Sequence, residues 1–245
     1  MATTSQHELV TLKISDGSEM RAYVSRPQGA GPHPGMMVFQ EAFGVNPHIR
    51  SVADRFAREG YTAIAPELFH RTAEAGFEGR YDDFPGVMNH VRSLTEQGME
   101  ADIRAAFGWL EKDAETDSAR IACVGYCMGG RAAFLADAAT PVRAAISFYG
   151  GGIAPSPAGP GLLGRAPELH APLLMFWGGL DQHILPEHHR AVADALRASG
   201  KKFINVEISD ADHGFFCDAR RSYNKTAAAE AWALCREFLA ASVKA

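Results

Sequence analysis

The stretch "IACVGYCMGGRAAF", residues 121–134, decides the fold. It begins with an apolar run that is typical of a buried strand and ends with small residues of good helix propensity. Between them Cys127 stands two residues after Gly125 and two before Gly129. Flanking glycines permit a sharp turn and a close approach of the backbone to its neighbours. We therefore predict a strand, a tight turn with Cys127 at its tip, and a helix.

Strand and helix signals alternate on both sides of this stretch. Apolar segments flanking Asp16 and Gly17 predict an N-terminal β-hairpin. Further strands are predicted in the segments GMMVFQ, YTAIAPEL, RIACVGY, VRAAISFYG, APLLMFWGG and KFINVEIS. Helices are predicted from Pro47, after an Asn46 N-cap, to Gly60, and at residues 99–112, 129–139, 187–199 and 223–242. This alternation predicts one α/β domain over residues 1–245, with a mostly parallel sheet of about eight strands covered by helices on both faces.

Composition excludes several classes of protein. The chain has 245 residues, of which 47% are hydrophobic, and a formal net charge of −5 without a Lys/Arg cluster, which argues against nucleic-acid binding. No apolar run is long enough for a membrane helix, and the first residues lack the pattern of a secretory signal. The four cysteines, Cys123, Cys127, Cys217 and Cys235, show no disulfide spacing. We expect a cytoplasmic protein with reduced thiols.

Two connections are long. Residues 66–98 are polar and interrupted by Gly and Pro, and residues 150–168 are rich in Gly and Pro. We expect both to be irregular. Long irregular connections within a compact domain often border an active site.

Cys127 has the position of a nucleophile. A strand-to-helix turn of the form G-x-C-x-G has the context of a nucleophile elbow. At a helix N-terminus the unpaired N–H groups and the helix dipole favour a thiolate. The N–H of Met128 would be available to an oxyanion. The alternative is that Cys127 is a small buried residue, an interpretation that suits Cys123 within the strand.

An acid and a histidine are expected further along the chain, in that order. Asp181 follows the predicted strand of "LLMFWGGLDQHILP", and His213 follows the last predicted strand in "VEISDADHGFF". The alternative for Asp181 is a helix cap or a surface carboxylate. Asp210 and Asp212 are interpreted as turn formers.

Three further histidines, His183, His188 and His189, raise the possibility of a metal cluster. No carboxylate or thiol completes a recognisable ligand pattern around them. We interpret them as surface residues and predict no metal site.

Five segments together resemble the dienelactone hydrolases (carboxymethylenebutenolidases) of the α/β-hydrolase superfamily. They are QEAFGVNPHIR from Gln40, PELFHR from Pro66, GYCMGG from Gly125, GGLDQHILP from Gly178 and DHGFF from Asp212. The resemblance implies an α/β-hydrolase fold and hydrolysis of a small activated ester or enol-lactone without a cofactor.

The resemblance also implies roles for individual residues. It implies a catalytic triad of Cys127, His213 and Asp181, with an acyl-thioester intermediate. It further implies that the resting thiol is neutral and that Glu41 swings toward the cysteine when substrate binds. The second oxyanion N–H would come from Ala42. The alternative for Glu41 is a surface carboxylate at a strand end.

One feature departs from the family pattern. Dienelactone hydrolases carry an arginine shortly after the catalytic histidine, which holds a substrate carboxylate. The matching place here is near Cys217, and Arg220 and Arg221 come slightly later. Arg80, Tyr81 and Arg92 in the first long connection are the other candidates for substrate binding. Whether the substrate carries a free carboxylate stays open.

Other functions are compatible with the same residues. The chain could be a thiol-based sensor or binding protein on a hydrolase scaffold, a broader carboxylesterase, or a serine-type esterase relative that has lost activity. The partner we expect is a small-molecule ester or lactone, with no nucleic acid and no membrane. The sequence does not fix the oligomeric state, and a monomer or small homo-oligomer is expected.

Overall fold

The computed structural model describes residues 6–157 and 159–243. The strands are β1 Gln6–Lys13, β2 Glu19–Arg26, β3 His33–Phe39, β4 Thr62–Pro66, β5 Thr116–Tyr126, β6 Ala145–Phe148, β7 Leu173–Gly178 and β8 Phe203–Ile208. The α-helices are α1 Pro47–Arg58, α2 Phe84–Ser93, α3 Glu96–Lys112, α4 Met128–Ala139, α5 Pro186–Ala198 and α6 Lys225–Val243. A short 3₁₀ helix covers Leu163–Glu168.

The strands alternate with helices as the sequence predicts. They are ordered β1-β2-β4-β3-β5-β6-β7-β8 in the sheet. β1 pairs with β2 and β2 pairs with β4 in antiparallel fashion, which confirms the N-terminal hairpin. β3 and β4, β6 and β7, and β7 and β8 are parallel pairs. The mostly parallel sheet confirms the predicted fold class.

The chain divides into two compact units, Met1–Cys123 and Val124–Ala245. In the first unit α1 begins as predicted, because the Asn46 side chain accepts a hydrogen bond from the Ile49 N–H at 3.2 Å and Pro47 follows as the first helical residue. The buried face of α1 carries Ile49, Val52 and Phe56, which have the helical spacing seen in the sequence.

The connection after β4 is less irregular than predicted. It contains helix α2, which the prediction of an irregular segment over residues 66–98 missed. Asp83 caps this helix by accepting a hydrogen bond from the Gly86 N–H at 3.1 Å. Only Val87 of α2 is buried, so the helix has little of the apolar periodicity by which helices are recognised.

Ion pairs with the buried carboxylates of Glu67 and Asp102 anchor this connection to the rest of the first unit. Glu67 accepts hydrogen bonds from Arg21 Nε at 2.7 Å and from the Gly76 N–H at 2.9 Å. Arg71 binds the fully buried carboxylate of Asp102 through two nitrogens, at 2.9 and 2.8 Å, and His70 Nε2 lies 3.1 Å from the same carboxylate. The polar residues of the PELFHR segment, Glu67, His70 and Arg71, thus have structural roles.

In the second unit an aromatic stack lies beneath the carboxyl ends of three strands. The ring centroids of Tyr126 and Phe148 are 4.8 Å apart, and those of Phe148 and Phe176 are 4.5 Å apart. Phe216 stacks on Tyr126 at 5.3 Å. These rings come from β5, β6, β7 and the segment after β8, so they fix the strand ends relative to each other.

Among the residues described, no helix is long and apolar enough to cross a bilayer.

Candidate active site

Cys127 lies at a strained turn between β5 and α4. Its backbone has φ 56° and ψ −120°, a region that non-glycine residues rarely adopt and that costs about 1–3 kcal/mol. The Cys127 N–H donates to the Phe148 carbonyl at 3.0 Å, and its carbonyl accepts from the Gly130 N–H at 2.9 Å. These two hydrogen bonds hold the turn in the predicted geometry.

The glycines beside Cys127 are sterically required. A Cβ atom at Gly125 would overlap the carbonyl of Gly129. A Cβ atom at Gly130 would lie 2.6 Å from Ser147 Oγ and 2.7 Å from the Cα atom of Gly150. Since real Cβ atoms do not approach so closely, any side chain at either position would force the backbone to move.

The thiol stands at the N-terminus of α4. Cys127 occupies the N-cap position, and the N–H of Met128, the first helical residue, has no acceptor within the helix by α-helical geometry. The positive end of the helix dipole favours a thiolate at this point. Cys127 is half-buried, whereas Cys123 in β5 is fully buried, as predicted for a core residue.

Asp181 is held from both sides in the turn after β7. Its Oδ1 accepts hydrogen bonds from the N–H groups of His183 at 2.7 Å and Ile184 at 3.0 Å. Its Oδ2 accepts from His213 Nδ1 at 2.8 Å. Burial raises the pKa of Asp181, but the hydrogen bond and charge of His213 and the two amides outweigh it and hold the pKa below its usual value. Asp181 is buried, so the surface alternative is wrong.

His213 links the acid to the thiol. It lies in the loop after β8 and is buried. Burial alone would lower its pKa, but the charge of Cys127 and hydrogen bonds to Asp181 and Cys127 raise the pKa of His213 to about 10. Because the Asp181 carboxylate only accepts, Nδ1 carries a proton, and Nε2 is the nitrogen left for the interaction with Cys127. The structure thus brings Cys127, His213 and Asp181 together.

The sequence analysis did not place two side chains, those of Tyr149 and His183, beside His213. The ring of Tyr149 lies 5.1 Å from the His213 ring, centroid to centroid, and Tyr149 has a positive φ of 38°. The ring of His183 meets His213 edge-on at 5.6 Å. The sequence signal for Tyr149 is its place in "FYGGG", because residues just beyond the carboxyl ends of parallel strands border the site in open α/β sheets.

The interpretation of three histidines as surface residues is partly wrong. His183 is exposed and His188 is half-buried, but His189 is only 4% exposed. It lies on the buried face of α5 with Val192, Ala193 and Leu196. The spacing of these residues is visible in the sequence, and it places His189 on the apolar side of the helix.

Glu41 and Ala42 belong to the first unit and follow β3 directly. Both are buried, at 0% and 3% exposure, so the alternative of a surface carboxylate at Glu41 is wrong. The side chain of Gln40 accepts from the Leu68 N–H at 3.1 Å and donates to the Glu41 carbonyl at 3.3 Å. These bonds fix the backbone at the end of the strand.

The other candidates in the first unit have partners of their own. Arg80 forms an exposed ion pair with Asp82 at 2.7 Å. The Tyr81 hydroxyl accepts a hydrogen bond from Asn46 Nδ2 at 2.9 Å, and its ring packs on Phe43 at 4.6 Å. Tyr81 therefore belongs to a small apolar cluster, whereas Arg80 belongs to the surface.

Arg220 and Arg221 differ in position. Arg221 is exposed, whereas Arg220 is half-buried. The guanidinium of Arg220 lies against Gly214 so closely that a Cβ atom there would overlap it. Gly214 has φ +80° and directly follows His213. Arg220 is thus the arginine that packs beside the histidine.

A mostly parallel sheet, a strained strand-to-helix turn that presents a thiol, and an acid and a histidine after later strands are the features of the α/β-hydrolase fold class. A crystal structure from Klebsiella pneumoniae, provisionally named dienelactone hydrolase, superposes with a TM-score of 0.85 at 32% identity and covers 96% of this chain and 99% of its own. The sequence profile of the dienelactone hydrolase family matches residues 20–243, and the chain belongs to that family.

Curated relatives agree with this assignment. A Synechocystis protein, provisionally named carboxymethylenebutenolidase, is 34% identical over 96% of this chain and 97% of its own length. An Escherichia coli K12 protein with the same provisional name is 36% identical over 89% of this chain and 81% of its own length. The chain is therefore a hydrolase of the ester and lactone class, as the sequence predicts.

Proposed function

We propose that the protein hydrolyses a small activated ester or enol-lactone by nucleophilic catalysis at Cys127. The observation that carries this proposal is the 2.8 Å hydrogen bond from His213 Nδ1 to Asp181, which orients a histidine that also interacts with Cys127. The position of Cys127 on a strained turn at the start of α4 adds to it. Such an arrangement supplies a nucleophile, its base and the group that orients the base.

The reaction would proceed in two halves. The Cys127 thiolate attacks the carbonyl carbon, and the N–H groups of Met128 and Ala42 stabilise the oxyanion. The C–O bond to the leaving group breaks, and His213 Nε2 protonates the departing enolate or phenolate. Water then gives a proton to His213 and attacks the thioester, the thiolate leaves, and the acid is released.

The thiol restricts the substrate class. A thiolate is a better leaving group than an alkoxide or an amine, so tetrahedral intermediates from amides and alkyl esters would collapse back to the starting material. An enolate or phenolate leaves readily, so tetrahedral intermediates from esters of these groups break down to the thioester. An activated ester or enol-lactone therefore suits this nucleophile.

Glu41 would assist the activation of the thiol. A carboxylate that is fully buried directly after a strand is costly unless it has a purpose. The family pattern implies a neutral resting thiol that loses its proton when substrate binds. In the proposed mechanism Glu41 assists when substrate is bound, while His213 accepts the thiol proton and later passes it to the leaving group.

Arg220 is the proposed site for a substrate carboxylate. Its guanidinium packs against Gly214 beside His213, whereas the side chains of Arg80 and Arg221 are exposed. A guanidinium can hold a carboxylate through two parallel hydrogen bonds. We therefore favour Arg220 over the other candidates.

A panel of enol-lactones and aryl esters, with and without a free carboxylate, tests the proposal. We expect turnover of the activated esters and a thioester adduct that mass spectrometry detects on wild-type protein and not on Cys127→Ala. Full turnover by Cys127→Ala would exclude the mechanism. Ready oxidation of the thiol without turnover of any ester would favour a thiol-based sensor.

A further inference from the structure

His189 is a buried histidine that the proposed chemistry does not use. Its ring stacks on Trp177 of β7, with centroids 4.6 Å apart and planes 16° from parallel. Nδ1 lies 3.2 Å from Glu207 Oε2, and Nε2 lies 3.0 Å from the Ile184 carbonyl. Trp177 and Glu207 are register partners on adjacent parallel strands, so the ring of His189 is held against both.

The hydrogen bond to Ile184 has a fixed direction. A carbonyl oxygen only accepts, so Nε2 of His189 carries the proton and donates. The N–H of Leu185 belongs to the same peptide group as the Ile184 carbonyl, and it donates to His188 Nδ1 at 2.9 Å. The peptide group between residues 184 and 185 is therefore fixed by two consecutive histidines of α5.

The same short segment orients the acid. The Ile184 N–H donates to Asp181 Oδ1 at 3.0 Å, while the Ile184 carbonyl accepts from His189. Both backbone groups of Ile184 are thus engaged, which restricts rotation about its backbone bonds. A change in the turn would reorient the Asp181 carboxylate, whose Oδ2 accepts from His213 at 2.8 Å.

We propose that His189 is a positioning residue for the Asp181–His213 pair, acting through the hydrogen bond from its Nε2 to the Ile184 carbonyl. This inference rests on the proposed function of Cys127, His213 and Asp181. Displacement of a catalytic group by about 1 Å can cost 10²-fold in rate, so a hydrogen bond remote from the reacting atoms can control turnover.

Two substitutions separate positioning from packing. In His189→Gln the amide nitrogen takes the place of Nε2 and can still donate to the Ile184 carbonyl. In His189→Asn the amide nitrogen takes the place of Nδ1, so it can reach Glu207 but cannot donate to the Ile184 carbonyl. Both lose the ring that stacks on Trp177, so both lose packing to a similar degree.

The expected result is a difference between these two variants. With an aryl ester, His189→Asn should lower kcat about tenfold or more with little change in KM, while His189→Gln keeps most of kcat. Val192→Ala removes buried volume from the same face of α5 and should lower the melting temperature without lowering kcat. Equal losses of kcat in the two His189 variants, or no loss in either, would overturn the proposal.

A second measurement does not depend on turnover. NMR titration of the His213 imidazole should show a lower pKa in His189→Asn than in wild type, and a nearly unchanged pKa in His189→Gln. An unchanged His213 pKa in His189→Asn refutes the positioning role. Absence of ester turnover in the wild type refutes the proposed function, and the titration then still decides the role of His189.

Discussion

Asp181 and His213 share a hydrogen bond of 2.8 Å while the second oxygen of Asp181 is held by two backbone amides. The carboxylate therefore has one orientation, and it selects the tautomer in which Nδ1 of His213 is the donor. The remaining nitrogen, Nε2, is the one that would exchange a proton with Cys127 in the proposed mechanism. The turn after β7 thus determines the tautomer of His213, which lies in the loop after β8.

Asp181→Asn should therefore lower kcat by about 10³-fold or more, because the amide favours the wrong tautomer of His213. Steady-state kinetics with an aryl ester across pH measure the effect. Raising the pH should restore little of the lost rate, since orientation and not ionisation is lost. A variant with near wild-type kcat would remove Asp181 from the triad.

Substitution of Cys127 separates chemistry from backbone strain. Cys127→Ala and Cys127→Gly should both lose hydrolysis. Because φ 56° strains any side chain, the glycine variant should be more stable than the alanine variant by about 1 kcal/mol. Urea denaturation gives this difference. A more stable alanine variant would show that the turn does not store strain.

Glu41→Gln should lower kcat about 10²-fold at neutral pH, the usual scale for a general base. The rate should recover at higher pH as the thiol ionises unaided. Glu67→Gln is the matched control, because Glu67 is also buried in the first unit but binds Arg21 and the Gly76 N–H. It should lose stability and keep kcat. Normal rates in Glu41→Gln would mean that His213 alone activates Cys127.

Arg220→Ala tests whether the substrate carries a free carboxylate. For esters with a carboxylate we expect KM to rise about tenfold or more, since charge-assisted hydrogen bonds contribute about 1.5–3 kcal/mol. For neutral esters KM should change little. The exposed Arg221 provides the control, and Arg221→Ala should leave both substrates unaffected. Equal changes for both ester types would count against a carboxylate site.

Asp137 predicts a pH effect on stability. Its carboxyl group is fully buried in α4 and accepts from the N–H groups of Ala171 at 2.8 Å and His170 at 3.2 Å. Burial raises the pKa of Asp137, against the effect of those amides and of the charges of His170 and Lys201. The folded state therefore favours the protonated form, and stability is lost as pH rises from the unfolded pKa through the folded pKa.

Asp137→Asn keeps the acceptor oxygen and cannot ionise. Its free energy of unfolding should increase relative to that of wild type as the pH is raised from about 4 to neutral. Chemical denaturation at several pH values measures the difference. A difference that does not change with pH would show that Asp137 keeps its ordinary pKa in the folded protein.

Sequence patterns predict the elements that carry strong periodicity. The strand, turn and helix around Cys127 follow from glycine spacing and apolar runs, because backbone crowding leaves few residues that fit. Asn46 and Pro47 predict the start of α1 for a similar local reason. Helix α2 was missed because its buried side consists of Val87 alone, although Asp83 and Pro85 are start signals.

The neighbours of His213 depend on contacts between distant segments. Tyr149, His183 and Arg220 meet His213 or Gly214 through the turns after β6, β7 and β8. Their distances to His213 are set by strand register, which single-residue patterns do not encode. His189 is different, since its helical spacing to Val192 and Leu196 is a local pattern that by itself indicates a buried side chain.

The close crossing of Gly125 and the Gly129 carbonyl has a consequence for the history of such enzymes. The bend depends on the absence of side chains at the glycines around it and not on the side chain of residue 127. The reactive atom of residue 127 can therefore be exchanged. A serine in place of Cys127 would inherit the same backbone, the same helix terminus and the same histidine. An enzyme with this bend can thus replace sulfur by oxygen through one substitution. That substitution changes which leaving groups the enzyme accepts, while its fold stays the same.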